Sequence, residues 1–171
     1  MNASEEVKNV SEEVKNVSEE VKDTSEEVKK ENRRLCEEYP FLIPRNRWTG
    51  QIPQEYDYEY TELDNMPDGW RVAFGEQMCA EIKEELVKLR GLDDYRISQI
   101  KEKYGSLRWY ANFETDTLWK IISKYEKMSM YTCVECGKAA TRVTLGWISP
   151  YCDDCCRDEP SKPVDKFWKE W

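Results

Sequence analysis

Two Cys-x-x-Cys pairs constrain the fold of this chain more than any other feature. The first pair is Cys133 and Cys136, and the second, fifteen residues further on, is Cys152 and Cys155. Two such pairs supply the tetrahedral set of four thiolates that structural Zn²⁺ sites use. The spacing therefore predicts a structural zinc site that folds a segment too short to bury a core of its own. A closed four-thiolate site leaves no coordination position for catalysis.

Other uses of these cysteines stay open, although they fit the sequence less well. A disulfide framework would suit a secreted chain, but this one begins without a secretory signal and has seven cysteines, an odd number. A redox pair or an iron–sulfur cluster is a further alternative. Cys156 is an alternative fourth ligand, although the x-x spacing favours Cys155. Cys36 and Cys79 fall in helical patterns and are expected to be ordinary buried thiols.

The charge balance limits the classes of function. The chain has 35 acidic and 26 basic side chains, a net charge of −9 and no histidine. This charge disfavours a protein that coats DNA and suits one that binds proteins or competes with nucleic acid for a basic groove. The lack of histidine removes His-dependent triads and His-ligated metals. Reduced cysteines, no signal and no membrane-length apolar run predict a cytoplasmic protein.

Catalytic motifs are not recognisable in the sequence. It contains neither a Gly-rich phosphate loop nor a nucleophile elbow. The adjacent carboxylates Asp93-Asp94 and Asp153-Asp154 do not by themselves make an acid–base dyad. We therefore expect a protein that is not an enzyme.

The first segment of the chain is a heptad repeat. The sequence SEEVKNV at residues 4–10 recurs at 11–17, with further copies beginning at Ser18 and Ser25. Apolar residues spaced alternately by three and four form the a/d seam of a coiled coil, and Leu35 continues it. Four Val-rich heptads are marginal, so a frayed helical tail is the alternative. The seam comprises Val7, Val10, Val14, Val17, Val21, Thr24 and Val28.

Residues 54–68 form an acidic stretch in which tyrosines alternate with carboxylates. In a β-strand, the tyrosines would line one side and the acids the other. Such a row of acids can imitate a phosphate backbone toward a basic partner. An edge strand with a solvated charged face is the ordinary alternative. The candidate partner-binding residues of this row are Glu55, Tyr56, Asp57, Tyr58, Glu59 and Tyr60.

The middle of the chain predicts two helices around a β-hairpin. An apolar stripe over residues 70–89 predicts the first helix, which Asp68 would cap and Gly91 would end. The two strands are expected at 95–104 and 107–113. A second amphipathic helix follows, with Thr115 or Asp116 as its N-cap.

Basic residues form a second candidate surface on the hairpin. Lys101 and Lys103 share one face of the first strand, and Arg108 lies on the returning strand. Together they can hold a phosphate or a carboxylate. Pairing with local acids such as Glu102, or with the acidic stretch, is the alternative.

Two aromatic features lie outside these elements. Arg45 and Arg47 flank Trp48, which can contact phosphate or plug the core. The tail at 164–171 carries apolar residues on one helical face. It either packs on the domain or anchors a partner.

The sequence KEKYGSLRWY at residues 101–110 resembles the central motif KEKFGGLRFY of a widespread bacterial and phage family of small uncharacterised proteins. The resemblance extends to the Asp-Gly-Trp of residues 68–70 with Met78-Cys79, and to the cysteine segment with its Gly146-Trp147. It covers about residues 66–156. The resemblance implies an α+β fold with a zinc knuckle, carriage on phages and mobile elements, and no settled activity.

These features predict an α+β fold. A small β-hairpin packs with two helices, a four-Cys zinc knuckle follows toward the C-terminus, and a heptad helix precedes them. The predicted boundaries are a helical arm at 1–35, an α+β core at 36–130, the knuckle at 131–160 and an aromatic tail at 161–171.

The predicted function is that of a non-catalytic, zinc-containing binding protein. With the resemblance to phage-borne proteins, a concrete version is an anti-CRISPR inhibitor in the host cytoplasm that blocks a nucleic-acid channel with its acidic stretch. One alternative is a zinc-dependent nucleic-acid-binding regulator, whose contacts would be Lys101, Lys103, Arg108, Arg45 and Arg47. Another is a scaffold that self-associates through residues 4–35.

Overall fold

A computed structural model describes residues 25–46 and 48–171 of the chain. Helices and two small antiparallel sheets make up its mixed fold, so the α+β prediction is confirmed at that level. The heptads before residue 25, and Arg47, lie outside the described residues. The coiled coil and the domain boundaries therefore stay predictions.

The helices and strands follow the predicted order. The helices are α1 (25–38), α2 (Asp68–Trp70), α3 (Glu76–Leu89), α4 (Asp116–Ser129), α5 (Asp153–Cys156) and α6 (Val164–Glu170). The strands are β1 (Ile97–Lys103), β2 (Ser106–Ala111), β3 (Arg142–Thr144), β4 (Pro150–Tyr151) and β5 (Ser161–Pro163). Short 3-10 turns lie at Pro40–Leu42 and Glu62–Asn65, and a π turn, Arg71–Gly75, joins α2 to α3.

The main core lies between α3, α4 and the inner face of the β1–β2 hairpin. Helix α4 packs on β2, and α3 packs on α4. Apolar residues at helical spacing place their side chains on the shared side of each helix. The fully buried side chains include Trp70, Phe74, Met78, Ile82, Leu86, Leu107, Leu118 and Tyr125.

The predicted hairpin is confirmed, with shorter strands than expected. Ile100 pairs with Trp109, and Lys101 pairs with Arg108, in antiparallel register. The turn consists of Tyr104 and Gly105, whose φ angles of 53° and 73° are both positive. Two positive φ angles are typical of the tight hairpin turn whose twist matches the strands.

The predicted helix caps are confirmed only in part. Thr115 caps α4, since its Oγ1 accepts a hydrogen bond from the Leu118 N–H at 3.3 Å. At α2 the prediction is wrong: Pro67 is the N-cap, without a side-chain cap. At the end of α3 it is Arg90, with φ of 54°, that takes the left-handed conformation in place of Gly91.

Helix α1 joins the core through the last residue of the heptad seam. Leu35 is buried in the main core, whereas Val28, one heptad earlier, is about half exposed. Arg34 links α1 to α3 by an ion pair with Glu76 at 2.9 Å, and it also pairs with Glu31 of α1 at 2.6 Å. The seam at Leu35 therefore packs within the chain and is not free to meet a second helix.

A second, smaller core lies beneath the C-terminal sheet. The sheet has the strand order β4-β3-β5. The side chains of Val143, Val164 and Phe167 pack beneath it. Trp168 is half-buried, and its indole N–H donates to the carbonyl oxygen of Met130 at 2.9 Å. Of the two alternatives for the tail, the structure shows docking within the chain. Trp171 stays 71% exposed.

Every helix within residues 25–46 and 48–171 is too short or too polar to cross a membrane.

We expect Trp168→Ala to lower the free energy of unfolding by about 2–3 kcal/mol, because it removes a half-buried indole and leaves the Met130 carbonyl unpaired. Trp171→Ala is the matched control, with an expected effect within about 0.5 kcal/mol because Trp171 is largely exposed. Urea denaturation followed by far-UV circular dichroism measures both. Equal effects of the two variants would show that the tail does not dock through Trp168.

Candidate metal centre

The first cysteine pair lies on a tight turn after α4. Thr132 and Ala139 form an isolated antiparallel bridge across this turn. Inside it, the Cys133 N–H donates to the Lys138 carbonyl at 2.8 Å, and the Gly137 N–H donates to the Cys133 carbonyl at 3.1 Å. These hydrogen bonds curl the backbone so that the side chains of Cys133 and Cys136 face the same side.

The second pair lies where β4 leads into α5. Cys152 directly follows β4 and is the N-cap of α5, and Cys155 lies in the single turn of that helix. The Val134 N–H donates to the Pro150 carbonyl at 3.0 Å, which holds the first turn beside β4. The two pairs therefore meet through backbone hydrogen bonds between segments that are distant in sequence.

The four predicted ligands converge on one point. The Sγ atoms of Cys133, Cys136, Cys152 and Cys155 all lie within 4.8 Å of one another. Those of Cys136 and Cys152 are 3.6 Å apart. A tetrahedral metal with bonds to sulfur of about 2.3 Å needs sulfur–sulfur separations of about 3.8 Å. The arrangement can hold a metal ion with little movement.

The electrostatics of the site also fit a cation. Burial acts to raise the pKa of Cys133, but backbone N–H groups of Cys136, Cys152 and Glu135 lower it to about 7. The adjacent thiols of Cys152 and Cys136 raise the pKa of Cys155 to about 12. Thiols this close cannot all ionise side by side without a positive charge among them, and a bound metal ion supplies that charge.

The other cysteines are outside this group. Cys156 follows Cys155 but is not among the four converging thiols, so the structure favours Cys155 as the fourth ligand. Cys36 and Cys79 are buried in the main core, and burial raises the pKa of both thiols. This environment is that of ordinary buried thiols, as predicted.

The metal centre is attached to the main core by a direct contact between two glycines. The Gly69 N–H donates to the Val134 carbonyl at 2.8 Å. A Cβ on Gly69 would overlap the Cys133 carbonyl oxygen and would lie 2.6 Å from the Gly137 nitrogen. A Cβ on Gly137, whose φ is 75°, would lie 2.6 Å from the Gly69 oxygen. Only glycine at both positions permits this approach.

Trp70 completes the attachment. Its side chain is fully buried, and its indole N–H donates to the Thr132 carbonyl at 2.8 Å. Sequence reasoning placed Trp70 on a core stripe and missed its bond to the cysteine segment. The available signal was the pairing of Gly-Trp at a helix start with a glycine directly after a Cys-x-x-Cys.

The candidate row at residues 55–60 is not a strand. It forms turns and bends, and Tyr58 has a φ of 67°. The ring of Tyr56 packs against Tyr58 and Tyr60, with centroids 4.9 Å and 6.0 Å away. The prediction of a flat, alternating strand is wrong because the three rings cluster with one another. The three acids of the row are exposed, and so is Tyr60, whereas Tyr56 and Tyr58 are partly buried.

Helix α1 holds this row in place. Lys29 pairs with Asp57 at 2.7 Å and with Glu59 at 3.6 Å. The hydrogen bond from Lys29 lowers the pKa of Asp57. The buried Asn32 donates through Nδ2 to the Tyr58 carbonyl at 2.9 Å. The acidic surface therefore has a fixed shape, and one lysine offsets part of its charge.

The basic candidates lie together on the outer face of the hairpin. Lys101 lies opposite Arg108, and Arg108 lies 3.7 Å from the carboxylate of Glu126. Lys101 and Lys103 have no ion pair among residues 25–46 and 48–171. Pairing with a local acid is thus present for Arg108, through Glu126, whereas Glu102 accepts the Gly105 N–H of the hairpin turn at 2.5 Å.

Comparison with protein-family models, with curated proteins and with solved structures finds no match to this chain. The resemblance to the phage-borne family stays a prediction. The class of protein is therefore defined by the structure: a small α+β protein with a four-thiol centre that can bind a metal ion.

Single Cys→Ser substitutions test the ligand set. We expect Cys133→Ser, Cys136→Ser, Cys152→Ser and Cys155→Ser each to reduce bound metal well below one ion per chain, because three thiolates bind less tightly than four. Cys156→Ser is the control and should retain one ion. Native mass spectrometry with elemental analysis gives the stoichiometry. Metal loss in Cys156→Ser with retention in Cys155→Ser would reverse the assignment.

The glycine contact gives a second prediction. Gly69→Ala should destabilise the protein by about 1–3 kcal/mol or more, because the added methyl group meets rigid backbone. Gly146→Ala is the control, since a Cβ there meets nothing within 4 Å; its effect should stay within about 1 kcal/mol. Thermal unfolding measures both, and a harmless Gly69→Ala would contradict the close approach.

Proposed function

We propose that this chain is a non-catalytic binding protein whose metal centre holds a structural Zn²⁺. The convergence of four thiols within 4.8 Å supports this identity. Thiolate ligands select Zn²⁺, Cu⁺ or iron–sulfur clusters over the oxygen-preferring Mg²⁺ and Ca²⁺. Four sulfurs in two Cys-x-x-Cys turns are the usual ligand set of a structural zinc site.

The bound ion has a structural task in this proposal. The segment that carries the four thiols buries few apolar side chains, with Val143 the main one. When bound, zinc cross-links the turn after α4 to the start of α5, which supplies stability that a small apolar core cannot. The ion thereby fixes the position of α2 through the contact of Gly69 with this segment.

The partner-binding surface in this proposal is the acidic row at residues 55–60. The side chains of Asp57 and Glu59 are 51% and 66% exposed, and the tyrosines beneath them hold the backbone against α1. Because the row of carboxylates is already ordered, binding to a basic partner would lose little conformational entropy. Its charge, together with the net charge of −9, favours electrostatic attraction to a positively charged groove.

The narrower form of the proposal is an inhibitor of a host defence nucleoprotein, such as a CRISPR nuclease, in the host cytoplasm. The channel of such a nuclease is positively charged and holds a nucleic-acid backbone. Carboxylates that occupy the channel would exclude target DNA. The resemblance of residues 101–110 to a phage-borne family motivates this version, and the acidic row supplies the contact.

Charge reversal tests the acidic row. We expect the wild-type protein to reduce target-DNA binding by a guide-loaded CRISPR nuclease in a gel-shift assay across a panel of such nucleases. Asp57→Lys/Glu59→Lys should weaken this inhibition by about 10-fold or more, because it removes close charge pairs with the basic channel. Asp93→Lys/Asp94→Lys changes the net charge equally on an exposed turn and should leave inhibition unchanged.

Two results would contradict the narrower proposal. The first is that the wild-type protein inhibits no nuclease of the panel. The second is that the two double variants behave alike, in which case overall charge, and not residues 55–60, accounts for the effect.

A further inference from the structure

A cleft that is separate from the acidic row and from the basic face of the hairpin is lined by residues that can bind a ligand. It lies between the loop at residues 46 and 48–51 and the neighbouring ends of the β1–β2 hairpin, and its volume is about 350 Å³. This volume lies at the lower end of the range for small-molecule pockets, about 300–1,000 Å³. Its lining mixes polar and apolar side chains and includes Arg45, Thr49, Arg96, Ser98 and Asn112 beside Trp48 and Ile97.

The loop that borders this cleft, here called the Trp48 loop (residues 46 and 48–51), is held by its own hydrogen bonds. The Oδ1 of Asn46 accepts from the N–H groups of Trp48 at 2.9 Å and Thr49 at 3.0 Å. The Gly50 N–H donates to the Asn46 carbonyl at 2.7 Å. These bonds fix the loop backbone at Trp48. Its side chain is nonetheless 96% exposed, so it is not the core plug that sequence reasoning considered.

Two guanidinium groups each reach Gly50 of this loop. Arg45 donates through Nη1 to the Gly50 carbonyl at 3.1 Å. A Cβ on Gly50, whose φ is 70°, would lie 2.8 Å from Nη1 of Arg96. Glycine at this position therefore admits Arg96 beside Arg45. Arg45 and Arg96 are 51 positions apart in the sequence, so only the fold places both of them next to Gly50.

The positive charge of the two arginines is available to a ligand. Neither Arg45 nor Arg96 forms an ion pair with any carboxylate in the described parts of the chain. Glu62 also lines the cleft and accepts a hydrogen bond from Asn65. Among the described residues, the lining thus carries two arginines against one carboxylate, in a chain whose overall charge is −9.

We propose that the cleft binds a nucleotide, with the phosphate on Arg45 and Arg96 and the base stacked on Trp48. Guanidinium groups pair with phosphate through two parallel hydrogen bonds, which suits a site formed by arginines. An exposed indole is a stacking surface for any base. The nucleotide can be free or the end of a single strand, since both offer the same phosphate and base. This site is separate from the acidic row and does not depend on the function proposed for it.

The test is isothermal titration calorimetry of the full-length, metal-loaded protein at low salt. The ligands are AMP, adenosine, inorganic phosphate and a short single-stranded oligonucleotide. AMP should bind with one site per chain, and adenosine and phosphate much more weakly, because each supplies only half of the contacts. Tighter binding of the oligonucleotide than of AMP would identify a strand end as the source.

Matched variants separate the two halves of the site. Trp48→Ala should weaken AMP binding by about 5- to 100-fold and leave phosphate binding unchanged, because it removes only the stacking contact. Trp147→Ala is the control, since Trp147 is 81% exposed on another loop. Arg96→Gln should weaken AMP and phosphate alike by about 10-fold or more. Arg90→Gln, at an exposed position outside the cleft lining, should change neither.

Three outcomes would overturn the proposal. One is an absence of saturable binding of AMP and of the oligonucleotide. Another is an equal loss of affinity in Trp48→Ala and Trp147→Ala. The third is phosphate binding as tight as AMP binding, which would make the cleft a simple anion site. Circular dichroism melting of each variant checks that the fold is intact.

Discussion

The backbone contact between Gly69 and Gly137 is the constraint on which the rest of the structure depends. With no side chain on either residue, the start of the long helical segment meets the cysteine turn directly. This approach lets the Trp70 indole reach the Thr132 carbonyl from within the main core. The contact thereby fixes the position of the four thiols relative to the π turn and α3. The cysteine turns themselves are formed only by hydrogen bonds between residues close in sequence.

Sequence reasoning succeeded where the determining interactions are local. Cysteine spacing located the four thiols, and residue alternation with a turn located the hairpin, because these patterns arise from the geometry of neighbouring residues. It failed for residues 55–60, where the alternation suggested a strand. There the packing of three tyrosine rings and of α1 overrides the local preference, and Tyr58 takes a positive φ.

Long-range contacts were the other part that the sequence did not reveal. Gly69 and Gly137 are 68 positions apart in the numbering of the chain, and no local pattern links them. Arg96 and Arg45 are a similar case. They are distant in sequence, and both contact Gly50, which has no side chain to exclude Arg96. Such contacts depend on the whole fold, and a single sequence offers only the presence of glycine as a hint.

The attachment of a core helix to a metal centre has a consequence for the lifetime of the protein in a cell. Binding of an ion to the folded state adds stability that grows with free ion concentration, by about 1.4 kcal/mol for each tenfold rise above the dissociation constant. If the four thiols hold a structural ion, as proposed, a chain without it would lose the attachment of α2 and expose Trp70, which is fully buried in the structure. Proteases degrade such opened states. Cellular metal supply would then set the abundance of this protein as well as its folding.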